Sequence, residues 1–498
     1  MSREIWGDAM HKTARSAVLA LAVAVAGGAC GSDADDSAGQ TTAAPAAQPG
    51  AAPASGAAVN LPNTVAGADP AAWKTEGKKV TGPSGFTLDL SKCPANWKDT
   101  AGITDTEIRL AASTALSGPV APYGQIQAGE KVYFDYINAT EGGIGGKKIT
   151  FAYKDDGYEA ARGKANIDEL VETGNVFAFN SVLGTPIVMA TYDKMNEACI
   201  PNLSSATGHP AWGDPVNHPW TTGLQLAYNT EAIQWGQYLL DAYGKGTTVA
   251  ALVANNDFGI LYKDTFEKFA KANGMSLVKY ETFEPLATTV TNELTNLASS
   301  NADVMIIMAG NIACPQTFTY LAGSSWKPKE KIVSSTCANV NTFFKPAGQA
   351  ANGWMLTGGT KDLADAAWKD DATVKQVKEI MGKAGLDTNN NFYGTALQFA
   401  WPIVENMKRA AQLPGGLTRT NLMLAARSLS AQNPWYVDGI KSEMNGAKDA
   451  FMIEATQLQR YKVDPGQEVG SLVPFGKIID LNGKTPPCVW DGKACRDS

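Results

Sequence analysis

Histidine is scarce in this chain, which has three in 498 residues: His11, His209 and His218. Imidazole is the commonest metal ligand and a frequent general base, so a catalytic or metal site built on histidine is not expected. The sequence has no CxxC pair of the kind that binds zinc and no GxSxG motif of a serine hydrolase. The glycine-rich run Gly142–Lys147 lacks the spacing and the final Ser or Thr of a phosphate-binding loop. We therefore expect neither an enzyme nor a metal or cofactor.

Charged residues are also few. Asp, Glu, Lys and Arg make up 18% of the chain, the net charge is −7, and no block of basic residues occurs. Nucleic acid is therefore not an expected partner, and electrostatic binding to an anionic lipid surface is not expected either. The apolar fraction of 44% is ordinary for a globular protein, and the length allows two or three domains.

The apolar run Ala17–Ala26 is too short to span a membrane, which takes about 20 apolar residues. It follows the basic segment His11–Arg15, as in a signal peptide. Gly27–Cys30 resembles a bacterial lipoprotein cleavage box. We expect residues 1–30 to be a lipoprotein signal peptide with Cys30 as the lipidated residue. The alternative is ordinary secretion, with Cys30 as a spare thiol.

Three further segments flank or precede the globular part. Residues 31–70 contain mostly small and polar residues with almost no large apolar side chain. Such a composition cannot bury enough apolar surface to offset the entropy of ordering, so we expect a disordered tether. Residues 71–104 are expected to form an approach segment, and residues 486–498 a C-terminal tail.

Apart from Cys30, the six cysteines are Cys93, Cys199, Cys314, Cys337, Cys488 and Cys495. An even number in an exported chain favours disulfides, although six cysteines allow many connectivities. Cys314 and Cys337 follow successive predicted strands at their carboxyl ends. Neighbouring strands lie about 4.8 Å apart, which is compatible with the reach of a disulfide. We predict this pair, a local Cys488–Cys495 pair, and Cys93–Cys199 from the remaining two.

The stretch Arg109–Asn138 organises the globular part. It begins as a short apolar strand, breaks at Ser117–Pro119 and continues as a helix with an apolar side. Lys148–Tyr153 is typical of the next strand, which completes a βαβ unit and predicts a parallel sheet. In such sheets ligands bind at the carboxyl ends of the strands, so the loop Ser113–Gly124 is a candidate site element. A second α/β series begins with the predicted helix Thr230–Ala242, which indicates a second lobe.

The same stretch carries a resemblance to a known family. Leu116–Gly124, a helix that ends in Asp135–Asn138, a Gly-Gly-Ile-x-Gly loop and a strand that ends in Asp155-Asp156 resemble the leucine/isoleucine/valine-binding protein family. Its members are extracytoplasmic solute receptors of ABC importers. The similarity runs from about Glu107 to Lys484.

The resemblance implies an α/β fold of two Rossmann-like lobes with parallel sheets, joined by a three-segment hinge. The crossings are expected near Thr222–Leu224, Asn352–Gly358 and Gln457–Tyr461. The first lobe would then comprise residues 105–222 plus 353–456, and the second lobe residues 223–352 plus 457–485.

Two loops at predicted strand ends carry groups that suit an oxyanion, namely hydroxyls and the N–H groups of a helix start. Similar loops in the family hold the carboxylate of the ligand. The resemblance maps this role to Val182, Leu183 and Gly184, and to Ser204 or Ser205. The alternative is that the hydroxyls only cap helices and turns.

Aromatic residues at equivalent places form the pocket walls in the family. The resemblance implies this role for Tyr123, Tyr228 and Phe258, with Asn311 as a further candidate at a strand end that lacks the usual aromatic residue. Asp257 could face a cation, but an Asp just before a helix more often caps it.

The sequence departs from the family at one position of consequence. Branched-chain amino-acid receptors place an acidic residue for the ligand's ammonium where this chain has Ser334–Ala338. We therefore expect a carboxylate or amide solute in preference to a free amino acid. The whole pattern predicts an extracytoplasmic, membrane-anchored solute receptor, monomeric, with an ABC permease as its partner. The alternative is a sensory ligand-binding module without transport.

Overall fold

The computed structural model describes residues 73–82 and 85–496. The expected signal peptide, the lipidated Cys30 and the tether at 31–70 lie outside the described residues. Within the described part, no helix combines the length and the apolar composition that crossing a bilayer requires.

The approach segment begins with a small antiparallel sheet. Its strands are β1 (Lys74–Glu76), β2 (Lys79–Thr81) and β3 (Thr87–Asp89). Phe86 is buried, and the guanidinium of Arg427 lies 4.8 Å above its ring. The indole N–H of Trp97 donates a hydrogen bond of 2.9 Å to the carbonyl of Cys199. The segment is therefore packed against the globular part.

The first large sheet has five parallel strands in the order β5-β4-β6-β7-β8. They are β4 (Glu107–Thr114), β5 (Lys148–Asp155), β6 (Ala178–Asn180), β7 (Asn202–Ser205) and β8 (Thr221–Gly223). The helices between them are α1 (Gln125–Thr140), α2 (Ala160–Glu172) and α3 (Thr185–Glu197). This strand order places a topological switch point between β4 and β6, where doubly wound sheets bind ligands.

The second large sheet repeats this arrangement with the order β10-β9-β11-β12-β13. Its elements begin with α4 (Tyr228–Tyr243), β9 (Thr248–Ala254), α5 (Asp257–Ala272), β10 (Ser276–Phe283) and α6 (Thr291–Ala298). They continue with β11 (Val304–Met308), α7 (Ala313–Gly323), β12 (Glu330–Val333) and β13 (Met355–Gly358). All five residues of β11 are buried, because helices cover both faces of a parallel sheet.

After β13 the chain returns to the first lobe. It forms α8 (Ala372–Lys383), α9 (Asn391–Ala411), α10 (Arg419–Ala426) and the short strands β14 (Ser430–Ala431) and β15 (Ser442–Glu443). Helix α9 packs closely on α1: a Cβ atom at Gly129 would lie 2.7 Å from the Cβ of Ala396. Glycine therefore permits this approach of the two helices.

The chain then re-enters the second sheet through β16 (Ala455–Lys462), which pairs antiparallel with β13, and continues with β17 (Ser471–Pro474) and β18 (Ile479–Asp480). The predicted α/β fold of two lobes with a three-segment hinge is confirmed. The expected lobe boundaries differ in detail. Residues 353–358 were assigned to the first lobe, but β13 pairs with β12 and β16 in the second sheet. Residues 455 and 456 likewise belong to β16.

The tail makes a further connection between the lobes that periodicity did not indicate. Beyond β18, the strands β19 (Val489–Trp490) and β20 (Cys495–Arg496) form a hairpin. The amide of Cys488 donates to the carbonyl of Gly213 (2.9 Å), and the amide of Trp490 donates to Asp214 (3.1 Å). The tail thus lies on the loop between β7 and β8 of the first lobe.

The described part of the chain contains three disulfides, Cys93–Cys199, Cys314–Cys337 and Cys488–Cys495, which are the pairs predicted from the sequence. Cys93–Cys199 attaches the approach segment to the end of α3. Cys314–Cys337 joins the first turn of α7, which follows β11, to the turn that follows β12. Cys488–Cys495 links the residue before β19 to β20 within the tail hairpin.

Candidate functional site

A cavity of about 190 Å³ lies where the carboxyl ends of the two large sheets face each other. Loops after β4, β6 and β7 line it from the first lobe, and loops after β9, β11 and β12 line it from the second. Because both sheets have the same strand order, both switch points open into this one cavity. The fold therefore builds a single site from two halves.

Most of the residues implied by the resemblance lie in the lining. The structure brings together Tyr123, Leu183, Gly184, Tyr228, Phe258 and Asn311. Three others, Val182, Ser204 and Ser205, are buried outside it.

The two serines do not line the cavity because the strand is longer than expected. The sequence pattern predicts a strand over 200–203 with Ser204 and Ser205 in the loop after it, whereas β7 continues to Ser205. Ser205 accepts a side-chain hydrogen bond of 3.3 Å from Asn202, and Ala206 is the residue that reaches the cavity. The side chain of Val182 packs in an apolar cluster of the first lobe, on the opposite side from Leu183.

The N-terminus of α3 is presented to the cavity by a glycine. Gly184 precedes the helix with a φ of +94°, a conformation that favours glycine. A Cβ atom there would lie 2.5 Å from the ring of Tyr158, which also lines the cavity. The next residue, Thr185, shares a hydrogen bond of 2.5 Å with Thr207. The positive end of the helix dipole thus faces the site.

Tyr123 crosses from the first lobe to the second. Its hydroxyl donates to the main-chain carbonyl of Thr336 (3.0 Å) and accepts from the main-chain N–H of Asn311 (2.9 Å). Its ring lies between Phe343 (5.8 Å) and Phe392 (4.9 Å), measured between ring centroids. Burial raises the pKa of Tyr123 well above its usual value, so the phenol is neutral.

An aromatic cluster forms the wall of the second lobe. The ring of Tyr228 lies 4.9 Å from Phe258 and 4.7 Å from Tyr262. Behind them, Trp235 stacks on Tyr262 at 4.9 Å. Burial raises the pKa of Tyr228 to about 12. The wall offers apolar contact area to the body of a solute.

A buried carboxyl lies directly behind this wall. Glu231 accepts hydrogen bonds of 2.8 Å from the main-chain N–H and the hydroxyl of Ser335, and a further one from the hydroxyl of Tyr262. Burial raises the pKa of Glu231 to about 7. Ser335 lines the cavity and Glu231 does not. Glu231 therefore acts on the site through Ser335.

Comparison with known proteins places the chain in a family. The family model described as periplasmic binding protein matches residues 107–464, well over half of the 498 residues. The chain belongs to this family. Membership implies an extracytoplasmic location and confirms the resemblance seen in the sequence.

The relatives of this periplasmic binding protein are distant. A curated Leu/Ile/Val-binding protein homolog 3 of Brucella melitensis is 24% identical over 201 residues, which cover 40% of this chain and 53% of that protein. The chain thus spans about half the length of that relative. A fatty acid ABC transporter substrate-binding protein from Thermomonospora curvata is 20% identical, with a TM-score of 0.64 over 80% of this chain and 96% of its own. A branched-chain amino acid ABC transporter protein from Thermus thermophilus with bound valine is 18% identical, with a TM-score of 0.67 over 76% of this chain and 97% of its own.

The cavity of this periplasmic binding protein has a neutral lining. None of the described residues that line it is Asp, Glu, Lys, Arg or His. Ser335, Thr336 and Ala338 line it in the segment where the sequence lacked the acid of amino-acid receptors. The Ser334 hydroxyl donates inward to the carbonyl of Ala309 (2.6 Å). No side chain of the lining supplies a counter-charge to an ammonium.

Asp257 does not take either role considered from the sequence. It is the first residue of α5, is exposed and does not line the cavity. The helix cap is Asn256, whose side-chain oxygen accepts from the N–H of Gly259 (3.2 Å). The capping prediction was therefore one residue too late, and Asn256 is the residue that reaches the site.

Several lining residues were missed by sequence reasoning: Tyr158, Asn339, Phe392, Gln398 and Tyr436. Phe392 and Gln398 belong to α9, and no motif in their local sequence marks them as site residues. Tyr158 has a φ of +66°, and the Asp-Gly before it was a turn signal that indicated a special conformation there. The others come from loops that periodicity does not describe.

The two described histidines have structural partners. His209 accepts from the N–H of Ala211 (3.2 Å), and burial lowers its pKa to about 3. His218 contacts Asp193 at 2.8 Å and stacks on Tyr192. Among residues 73–82 and 85–496, no group of three His, Cys, Asp or Glu residues is arranged to hold a metal.

Proposed function

We propose that this protein captures a small polar organic solute outside the cytoplasm and delivers it to an ABC permease. The observation that carries this proposal is a cavity lined from both lobes and bridged by Tyr123. The proposal is supported by the family and by the two structural neighbours described above, both of which are ABC transporter proteins.

Capture proceeds by closure of the lobes about the three-segment hinge. Each lobe offers half of the site, and only the closed form contacts the solute from both sides. The solute therefore favours closure by the difference in its affinity for the two forms. Hinge closure of this kind is the motion for which periplasmic binding proteins are known. No turnover of the solute is part of the proposal.

The solute is a carboxylate or an amide with an apolar body. A free amino acid would bring its ammonium into a lining without a counter-charge, which costs several kcal/mol. A micromolar complex has only about 8 kcal/mol in total, so it could not easily absorb that loss. The aromatic wall suits the apolar body, and the N–H, amide and hydroxyl groups that both lobes place in the lining suit an oxygen-rich head.

Native mass spectrometry of protein purified without refolding tests capture, because a retained solute appears as a defined mass increment. Calorimetry with leucine, 4-methyl-2-oxopentanoate and 4-methylpentanamide then tests the class. We expect the keto acid or the amide to bind more tightly than leucine. Tight leucine binding that persists in Asp257→Asn, together with no detectable binding of the keto acid, would contradict the proposed class of solute.

The alternative is a sensory module without transport. Genes for a permease and an ATPase beside this one would favour import, whereas a neighbouring kinase or receptor gene would favour sensing. We further propose that the protein is a monomer and is attached to the membrane through lipid on Cys30.

A further inference from the structure

Three asparagines of the described cavity lining, Asn256, Asn311 and Asn339, carry a buried Nδ2 donor without a hydrogen bond, and the last two are buried as whole residues. Asn311 and Asn339 are 9% and 3% exposed, and the Nδ2 atom of each lacks a hydrogen bond. The orientation of Asn339 is fixed, because its Oδ1 accepts from the N–H of Thr342 (3.0 Å). Nδ2 is therefore the unused end. A buried donor without a partner is unfavourable, so a partner is expected at this wall.

The same wall also contains an oriented acceptor. Ser335 donates both its main-chain N–H and its hydroxyl hydrogen to Glu231, at 2.8 Å each. Its oxygen therefore has only lone pairs left to offer to a solute. The wall thus combines amide donors with a hydroxyl acceptor.

These groups lie close together at the ends of β11 and β12. The single hydroxyl of Tyr123 contacts both the N–H of Asn311 and the carbonyl of Thr336. A Cβ atom at Gly310 would lie 3.2 Å from the side-chain oxygen of Thr336. The Cys314–Cys337 disulfide joins the two loops covalently. One solute head group can therefore meet both loops.

We infer that this wall binds the carboxamide group of the solute, with its carbonyl oxygen accepting from Asn311 and Asn339 and its N–H donating to Ser335. The inference rests on the proposed solute-receptor function and narrows the proposed class of solute to amides. A carboxylate has no N–H for Ser335, and it would lie near the carboxyl of Glu231 without a cation in the lining. An ammonium group has only N–H donors, so it could not accept a hydrogen bond from either asparagine.

Three probes with one carbon body test the inference: 4-methylpentanamide, 4-methylpentanoate and 4-methylpentylamine. Calorimetry at neutral pH should give an amide affinity at least about tenfold above that of the acid and the amine. An amide that binds no more tightly than the other two overturns the inference. Binding of the acid or the amine alone leaves the receptor function intact, whereas a protein that retains no solute and binds no probe contradicts both.

Matched variants locate the head group. Asn339→Asp keeps the oxygen that accepts from Thr342, and Asn311→Asp suits the φ of +62° at that position. Each substitution removes the amide donors of the side chain and adds a carboxyl group. Each should therefore lower the affinity for 4-methylpentanamide by about tenfold and raise the affinity for 4-methylpentylamine. Asp257→Asn, outside the cavity, should match the wild type. Unchanged amide and amine affinities in both asparagine variants would overturn the assignment.

Discussion

The hydroxyl of Tyr123 donates a hydrogen bond of 3.0 Å to the main-chain carbonyl of Thr336, and the two residues belong to opposite lobes. Tyr123 follows β4 of the first sheet, and Thr336 follows β12 of the second. The same oxygen accepts from Asn311, so one side chain of the first lobe is bonded to both loops of the second. In the proposed hinge motion, these bonds would join the two lobes in the closed form and would break on opening.

Tyr123→Phe should weaken solute binding by about tenfold, because a hydrogen bond contributes about 1 kcal/mol and the buried N–H of Asn311 loses its partner as well. Calorimetry with the solute identified by mass spectrometry measures the effect. Tyr320→Phe is the matched control, since Tyr320 is bonded only to Thr295 on the second lobe, away from the cavity. Equal affinity in both variants would show that closure does not depend on Tyr123.

Removing the Cys314–Cys337 disulfide should lower both stability and solute affinity. The bridge closes a loop of 23 residues, and loops of such a size contribute about 3 kcal/mol to the free energy of unfolding. It also fixes the two loops that carry Asn311 and Ser335. A Cys314→Ala/Cys337→Ala double variant is measured by denaturant unfolding and calorimetry. Cys488→Ala/Cys495→Ala, in the tail, should lower stability with less effect on affinity, and a free thiol at Cys314 in exported wild-type protein would refute the pairing.

Stability should fall as the pH rises from 6.5 to 8. Glu130 is buried, with its carboxylate oxygens bonded to Asn180 and Ser181, and burial raises its pKa from 4.5 to about 8. The folded state therefore keeps a proton that the unfolded state has lost. This stabilising contribution is complete below pH 4.5 and is lost as the pH rises through about 8. His209 affects stability in the opposite direction, because its pKa is lowered in the folded protein. That effect is confined to pH values below the ordinary pKa of 6.5, outside this window.

Glu130→Gln should remove part of this pH dependence. Across the window from pH 6.5 to 8 the variant should lose about 1.5 kcal/mol less than the wild type, since each pH unit corresponds to about 1.4 kcal/mol for one titrating group. Chemical denaturation at several pH values measures the slope. Glu172→Gln, an exposed position at the end of α2, should retain the wild-type slope. A slope unchanged in Glu130→Gln would mean that this carboxyl is ionised in the folded protein.

Cys30→Ala should release the protein from the membrane fraction. Lipoprotein anchoring depends on acyl chains on this cysteine, and two or more chains hold a protein stably at a bilayer. Fractionation of cells that express the wild type and the variant provides the test. Sedimentation of the variant with membranes to the same extent as the wild type would contradict the anchor.

Local patterns in the sequence were sufficient to predict the two α/β lobes, whereas the three-segment hinge was implied by the family resemblance. The apolar run Val304–Met308 is fully buried as β11, and the Ser117–Pro119 break separates β4 from the helical segment as predicted. Strands separated by helices leave only a parallel arrangement, and parallel connections have one favoured hand. Candidate residues that follow such strands, including Tyr123, therefore lie in the lining of the cavity between the lobes.

Tertiary structure decided which side chains of each loop face the solute. β7 extends two residues further than expected, so Ser204 and Ser205 lie buried within the sheet and Ala206 is the residue that reaches the cavity. The pairing of β13 with β16 joins Gly358 to Gln457, 99 positions further along the chain, and has no local pattern to predict it. The roles of Glu231 and Asn339 could not be predicted from the sequence, because they depend on the packing of α4 against the loop after β12. Long-range contacts of this kind depend on the packing of the whole chain, which no window of the sequence contains.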